Sequence, residues 1–438
     1  MLNKYVFTSV TEAIDAAVRA FKSFEKLGIS SREDIIINLR SVLESNLEKI
    51  AKMTYEETNF GILRDKKIKL KVAIEQTPGT EDLNTEAITK DKSLTLFERS
   101  AYGVVCDILP SNNPTATLIN NVISLLSSGN SVVLCPHPRA IGVSKYLTKI
   151  ISDTIFKISG IENLVVTLDN ISLNNVNEIM HHPDIDMIIS TGGSDVAKEV
   201  IKCKKKIIAA GPSNPTFIID ETADIKKAAR CIVKSVSFDN NLMCVTEKNL
   251  IVVREVYNKF ISELEKEGAF NINDFSRMIK LSKVLLNEDL KPNKMYGGVD
   301  ANNIIDIAKL KRNKDYKIIT VTVPKIHPFV TEELLMPIVP IVVVDDFEMA
   351  IDYAIEAERG YKHTAGIYSN DLDRLNFAAK KLQTSVFVKN GSALDAIGFS
   401  DNTPAAFTIA NITGEGTITA KDLTRKRRCV LIDPFSIR

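Results

Sequence analysis

From residue 104 onward, short β-branched runs alternate with longer stretches of helical spacing, and this rhythm restricts the possible folds more than any other feature. Residues 104–109 read as a buried strand, which Pro110 to Pro114 breaks. Leu118, Ile119, Val122, Ile123, Leu125 and Leu126 then recur at helical spacing until Gly129, a natural helix stop. Strand-like runs follow at 131–134, 164–168, 187–190, 207–209 and 217–219, most of them separated by helical segments. Alternation of this kind predicts parallel strands joined by right-handed crossovers in a doubly wound α/β sheet. Residues 1–90 and 102–236 are assigned to this first domain, with helices expected over 11–24 and 31–53. A second α/β domain, 237–415, is expected to open near Phe238, with strands at 250–253, 318–323, 338–344 and 385–388. Runs 93–99 and 428–432 fit neither core and are predicted to pair as a small β arm, spanning 91–101 and 416–438.

Composition narrows the function classes. With 438 residues and 45% apolar content, the chain can bury an ordinary core in two or three domains. Lys and Arg total 56 against 55 Asp and Glu, so no global field draws in nucleic acid or an anionic membrane. The longest apolar run, 334–344, is interrupted by Pro337 and Pro340 and is shorter than the roughly 20 residues that span a bilayer. No membrane partner is expected. The opening residues lack the apolar stretch of a secretory leader. Cysteines at 106, 135, 203, 231, 244 and 429 show no C-x-x-C pair and no zinc-finger spacing, and read as separate reduced thiols of a cytoplasmic protein without a metal site.

Three segments could carry chemistry. Ser237 to Cys244 joins a helix to the second domain's first strand, a loop at a domain boundary where clefts form. Cys244 reads either as a nucleophile or as a small buried apolar residue. Pro110-Ser111-Asn112-Asn113-Pro114 follows a strand at the end where open α/β sheets place ligands. Its amides could donate to a developing oxyanion, or the segment is a turn of residues with turn propensity. In the run from Ser190 to Glu199, a strand ends in Gly192-Gly193 and a helix begins. That is either a phosphate site at a helix start or a plain N-cap by Thr191 or Ser194.

Their order and separation resemble the aldehyde dehydrogenase superfamily over almost the whole chain. Further segments sharpen the resemblance: Asn120 to Ser124, Gly129 to Val133 with Pro136-His137-Pro138, Ala209 to Pro215, and Phe387 to Gly391. With His327-Pro328-Phe329 through Glu333 to Pro337, and Arg427 to Leu431, the chain looks like the CoA-acylating branch acting on acetaldehyde or propionaldehyde. The resemblance implies a Rossmann-like cofactor domain, an α/β catalytic domain and a β oligomerisation arm, hence a homo-oligomer. It implies NAD and coenzyme A as co-substrates. By the same route Cys244 is the nucleophile, Glu333 approaches the nicotinamide ribose, and Thr191, Gly192 and Gly193 form the pyrophosphate turn. Pro110, His137 and Pro138 fall among its cofactor-binding positions. Asn113 matches the oxyanion amide of the acylating branch and Asn112 that of hydrolytic relatives. His327 and His363 also match family positions, beside their reading as structural histidines.

One departure bears on the reaction. Hydrolytic members place a water-activating glutamate where this chain has Ala209-Ala210-Gly211-Pro212-Ser213, with no base. A thiol with a pKa of about 8.5 is a few per cent thiolate at neutral pH and strongly nucleophilic, so CoA is the expected acyl acceptor. A second departure is Cys135, near the place where many relatives use lysine on the adenosine ribose, which leaves NAD against NADP open. The competing readings are a hydrolytic enzyme and a catalytically silent relative with an assembly role. Enclosure in a bacterial microcompartment among shell or cargo proteins is compatible with the resemblance. Enclosed relatives often carry an extra N-terminal amphipathic peptide, and this chain opens without an obvious one.

Overall fold

The computed structural model describes residues 4–400 and 403–433, so the last five residues of the expected arm, 434–438, lie outside it, as do 1–3 and 401–402. The chain divides into two compact units. One comprises Met1–Thr58, Lys69–Ala210 and Pro404–Arg438, the other Asn59–Ile68 and Gly211–Thr403.

The first unit is built on a parallel six-stranded sheet in the order Val6–Phe7, Val165–Leu168, Ser131–Cys135, Val104–Ile108, Met187–Ser190, Lys206–Ala209. Every residue of the Val104–Ile108, Ser131–Cys135, Val165–Leu168 and Met187–Ser190 strands is buried, as a sheet with both faces covered requires. Each buried Val, Ile or Leu there contributes about 1.5–3 kcal/mol relative to exposure. The order runs one way from Val104–Ile108 through two strands and then reverses to Met187–Ser190 on its other side. That reversal is the sheet's switch point. Asn120 and Asn121 sit on the wholly buried helix Pro114–Ser127. The Asn120 amide donates to the Ala405 carbonyl at 3.1 Å and accepts the Phe407 N–H at 3.1 Å. Those bonds return the chain to the first unit from residue 404, ahead of the 415 boundary expected from sequence. The single helix expected over 31–53 is two, Ile29–Ser45 and Leu47–Thr58. Asn46 parts them: its side-chain amide donates to the Val42 carbonyl at 2.8 Å and its Oδ1 accepts from Tyr146 Oη at 2.7 Å.

The second unit carries a parallel seven-stranded sheet in the order Ala269–Ile272, Ile318–Thr322, Ile338–Val344, Asn249–Val253, Thr216–Ile219, Thr364–Tyr368, Val386–Lys389. Here the sequence reading needs correction. The strand expected at 217–219 in the first sheet lies inside the second, paired with Leu250 to Val252 on one side and Ala365 to Tyr368 on the other. The division falls at 210/211, ahead of the expected 236/237. Periodicity reveals a strand but not its neighbours. Strands Ala269–Ile272 and Thr364–Tyr368 were not anticipated.

Ser93–Ala101 and Thr424–Ile432 pair antiparallel as expected, with Phe97 opposite Arg428 and Ser93 opposite Ile432. A third strand, Glu86–Lys90, completes this sheet and takes residues that the sequence reading gave to the first domain. No helix among the described residues is long and apolar enough to cross a membrane.

Candidate active site

In the first unit the expected cofactor elements gather at the switch point, beyond the carboxyl ends of three neighbouring strands. Pro110 to Asn113 follow Val104–Ile108, Thr191 to Gly193 follow Met187–Ser190, and His137 and Pro138 follow Ser131–Cys135. The Thr191 N–H donates to the Ile108 carbonyl at 2.9 Å, and the Leu109 N–H to that of Cys135 at 3.1 Å. Gly193, not Thr191, is the N-cap of helix Ser194–Val200, and it supplies no side-chain bond. A Cβ on Gly192 would meet that of Val196 at 3.1 Å. The buried Ser190 hydroxyl beside the turn has no partner among the described residues. Backbone bare of side chains, a helix start and an unsatisfied hydroxyl fit a dinucleotide's pyrophosphate. His137 is a structural cap: its Nδ1 accepts the Arg139 N–H at 3.1 Å, and burial lowers its pKa.

The two candidate amides differ. Asn113 is buried, and the Lys69 ammonium, itself 3% exposed, donates to its Oδ1 at 2.5 Å. With its oxygen held, Asn113 presents its NH2 end as a donor. Asn112 also has its oxygen engaged, Oδ1 accepting the Asn113 N–H at 3.1 Å. A further network, not anticipated from sequence, reaches the Thr191 turn. Buried Asp107 accepts from Asn121 Nδ2 at 2.9 Å, Thr408 Oγ1 donates to Asn121 Oδ1 at 3.2 Å, and the Thr408 and Thr191 hydroxyls meet at 2.8 Å. Burial pushes the Asp107 carboxyl up to about 7, against the Asn121 hydrogen bond.

In the second unit the candidate residues lie at the amino ends of four adjacent strands. Ser213 and Asn214 precede Thr216–Ile219, Cys244 precedes Asn249–Val253, Glu333 precedes Ile338–Val344, and His363 precedes Thr364–Tyr368. Cys244 is partly exposed at the end of an unusual turn. Asp239, Asn240 and Asn241 are all left-handed, with φ of 48°, 54° and 62°. Asp and Asn tolerate this region best among residues bearing a Cβ. The turn is tied down from several sides. Asp239 accepts the Ile62 N–H at 2.7 Å and pairs with buried Lys66 at 3.2 Å, while its own N–H donates to Asp65 at 2.9 Å. A Cβ on Gly61 would lie 2.0 Å from Asp239 Oδ1, so only glycine admits that carboxylate. Asn240 donates to the Gly298 carbonyl and Asn241 to that of Met336, each at 2.8 Å.

Lys248 lies beneath the turn, fully buried. Burial lowers its pKa to about 8, with Glu333, Cys244 and Glu247 acting in the other direction. Glu333 accepts from Ser213 Oγ at 2.7 Å; burial raises its pKa, which Lys248 and Ser213 oppose. His363 is buried, shares a 2.8 Å hydrogen bond with Thr364 Oγ1, and is held down at about 3 by burial and then by Lys248. His327 caps a helix, its Nδ1 accepting the Phe329 N–H at 3.1 Å, with Nε2 3.4 Å from Ser282 Oγ. Both histidines are engaged structurally. The six cysteines form no disulfide, although Cys106 and Cys135 are not separate: their sulfurs lie 3.7 Å apart across neighbouring strands.

Sequence reasoning missed Lys248, Lys66 and Lys69. For Lys248 a signal exists: Glu247-Lys248-Asn249 is a polar triplet leading directly into the apolar run Leu250 to Val253. Nothing distinguishes Lys66 or Lys69 from their neighbours in a lysine-rich helix.

The profile described as "Aldehyde dehydrogenase family" matches residues 6–272. A propanal dehydrogenase (CoA-propanoylating) of Citrobacter freundii is 43% identical over 434 residues, covering 99% of this chain and 94% of its own length. A crystal structure of Rhodopseudomonas palustris propionaldehyde dehydrogenase, with bound CoA and an acylated cysteine, superposes with a TM-score of 0.96 at 40% identity, covering 99% of each chain. A propionaldehyde dehydrogenase from the fucose utilisation bacterial microcompartment of Clostridium phytofermentans has a TM-score of 0.96 at 36% identity, covering 99% of this chain and all of that one. The match spans the nucleotide-turn and cysteine segments alike, and the chain belongs to the aldehyde dehydrogenase family.

Proposed function

We propose that this protein oxidises a short-chain aldehyde, propionaldehyde or acetaldehyde, with NAD and transfers the acyl group to coenzyme A. The observation that carries the choice of acceptor is the segment preceding the Thr216–Ile219 strand: Ala209 to Asn214 holds no titratable group, and its Ser213 hydroxyl is engaged by Glu333. Water therefore finds no base there, whereas a thiol attacks a thioester unaided. Full-length likeness to a CoA-propanoylating enzyme supports the same reading.

In this mechanism the Cys244 thiolate adds to the carbonyl carbon and the Asn113 amide donates to the resulting alkoxide. Bound NAD supplies the hydride acceptor. Gly192 and Gly193 would offer backbone N–H groups to its pyrophosphate beside Thr191, whose own N–H is held by Ile108, and Glu333, held by Ser213, would accept from a ribose hydroxyl. The CoA thiol then attacks the Cys244 thioester and the Cys244 thiolate leaves. A homo-oligomer joined through the three-stranded sheet belongs to the same proposal. So does enclosure in a microcompartment, on the likeness to the Clostridium phytofermentans enzyme.

Rapid mixing with NAD and aldehyde in the absence of CoA tests the reaction. NADH should appear in a burst approaching one equivalent per active subunit, then slow until CoA is added. The Cys244→Ala variant should lose activity by at least about a thousandfold while still binding NAD. Steady NADH release without CoA, at the CoA-supplied rate, would replace this reading with the hydrolytic one.

A further inference from the structure

A fully buried ammonium is expensive unless an anion or a full set of acceptors compensates it. Lys66, the other buried lysine of the second unit, meets Asp239 at 3.2 Å. Lys248 is different. Its Nζ donates to the Asn241 carbonyl at 2.7 Å, to Asn241 Oδ1 at 2.8 Å and to the Met243 carbonyl at 3.0 Å, with Thr246 Oγ1 at 3.3 Å. Those acceptors use its three protons and all of them are neutral. The carbonyls and the Asn241 side chain belong to the turn that ends in Cys244, and Thr246 lies two residues beyond it. Thr246 closes the turn further, its hydroxyl lying 2.6 Å from Asn241 Oδ1 and 2.7 Å from the Met243 carbonyl. The charged and titratable groups that share a field with this cation are Glu333, Cys244, Glu247 and His363. Of these, Cys244 is the one adjoining the carbonyls that receive the ammonium, and its anion exists only while the nucleophile is free.

We propose that Lys248 is a positioning residue for the nucleophile: its ammonium closes the Asn241–Cys244 turn from beneath and supplies the positive charge that holds Cys244 as a thiolate. This rests on Cys244 being the nucleophile. Beside Glu333, its larger anionic neighbour, the cation then gains a second negative charge that appears on the thiolate and disappears on acylation. Lys248 thus favours the free nucleophile and gives no comparable help to the neutral thioester, so it also makes Cys244 a better leaving group when the CoA thiol attacks. Loss of the Lys248 proton removes the field, and with a pKa near 8 that loss adds a falling limb on the alkaline side of the rate profile.

The test follows the alkylation of Cys244 by iodoacetamide against pH, read by mass spectrometry of the Cys244 peptide, in the wild type, Lys248→Met and Asn241→Asp. Removing the cation should move the alkylation midpoint up by about one pH unit, so that the rate at pH 7 falls about tenfold. NAD affinity should stay within about twofold, which a general loss of structure would not allow. Asn241→Asp places a carboxylate against the ammonium and should shift the midpoint in the same direction, so it carries the test if Lys248→Met does not fold. A folded Lys248→Met with the wild-type midpoint overturns the proposal, as does a wild-type midpoint in Asn241→Asp. Wild-type turnover followed in parallel separates the underlying assignment. If full activity survives complete Cys244 alkylation, the nucleophile has been misassigned, whatever the midpoints do.

Discussion

The Lys69 ammonium occupies the oxygen of Asn113 as the Asn113 N–H occupies that of Asn112, so each amide keeps its NH2 end for donation and the two differ in what orients them. Sequence supplied both candidates but not the lysine, 44 residues away, that holds Asn113. Asp107 makes a comparable point about energy. Its carboxyl is raised to about 7 in the folded chain, against about 3.9 for an unperturbed aspartate. Below about pH 4 both states hold the proton and the residue costs nothing. Between about 4 and 7 the unfolded chain releases a proton that the folded chain keeps, so stability falls as pH rises, and the loss is complete above 7. The Asp107→Asn variant should therefore gain about 2–4 kcal/mol over the wild type in urea unfolding at pH 8 and almost nothing at pH 4. An equal gain at both pH values would show that the carboxyl is not held protonated. In the sequence Asp107 is the one charged residue of a run that reads as a buried strand, so its burial was legible and its Asn121 partner was not.

Among the elements, the paired Ser93–Ala101 and Thr424–Ile432 strands were legible because each is a short β-prone run that neither domain's rhythm absorbs. Glu86–Lys90 was not, since all five of its residues are exposed and it has no apolar alternation to announce a buried face. The Thr424–Ile432 strand is an edge of its sheet, and Val430, Leu431 and Ile432 near its end are 46%, 48% and 63% exposed. An edge carrying consecutive exposed aliphatic residues invites cover by another chain. Deleting residues from Arg427 onward removes these side chains and the partners of Ser93 to Glu98. Light scattering should then report a mass shifted toward monomer, or the protein should become insoluble. A soluble truncated protein that keeps its full oligomeric mass would remove this sheet from the assembly.

At the scale of the whole molecule, both sheets are parallel yet their candidate residues gather at opposite strand ends. In the first they lie beyond carboxyl ends at a switch point, the rule that singled out Pro110 to Asn113 in the sequence, while Thr191 to Gly193 stood out by a glycine pair between strand and helix. In the second, Ser213, Cys244, Glu333 and His363 precede their strands, so the same rule would have directed attention to the wrong edge. Family resemblance, not topology, singled out Cys244. The left-handed Asp239-Asn240-Asn241 turn has a consequence in time. Its ties come from Ile62 and Asp65, 177 and 174 residues back along the chain, and from Gly298 and Met336, 58 and 95 residues ahead. Contacts so distant in sequence form late, because loop closure must be met before they repay it. During biosynthesis Cys244 should thus remain an ordinary thiol, sparing the nascent chain from stray acylation, and become reactive only as the fold is completed. On refolding from urea, pulse labelling by iodoacetamide should reach the native Cys244 rate after far-UV dichroism has recovered. Native labelling that returns together with the first helical signal would show the thiol to be active from the outset.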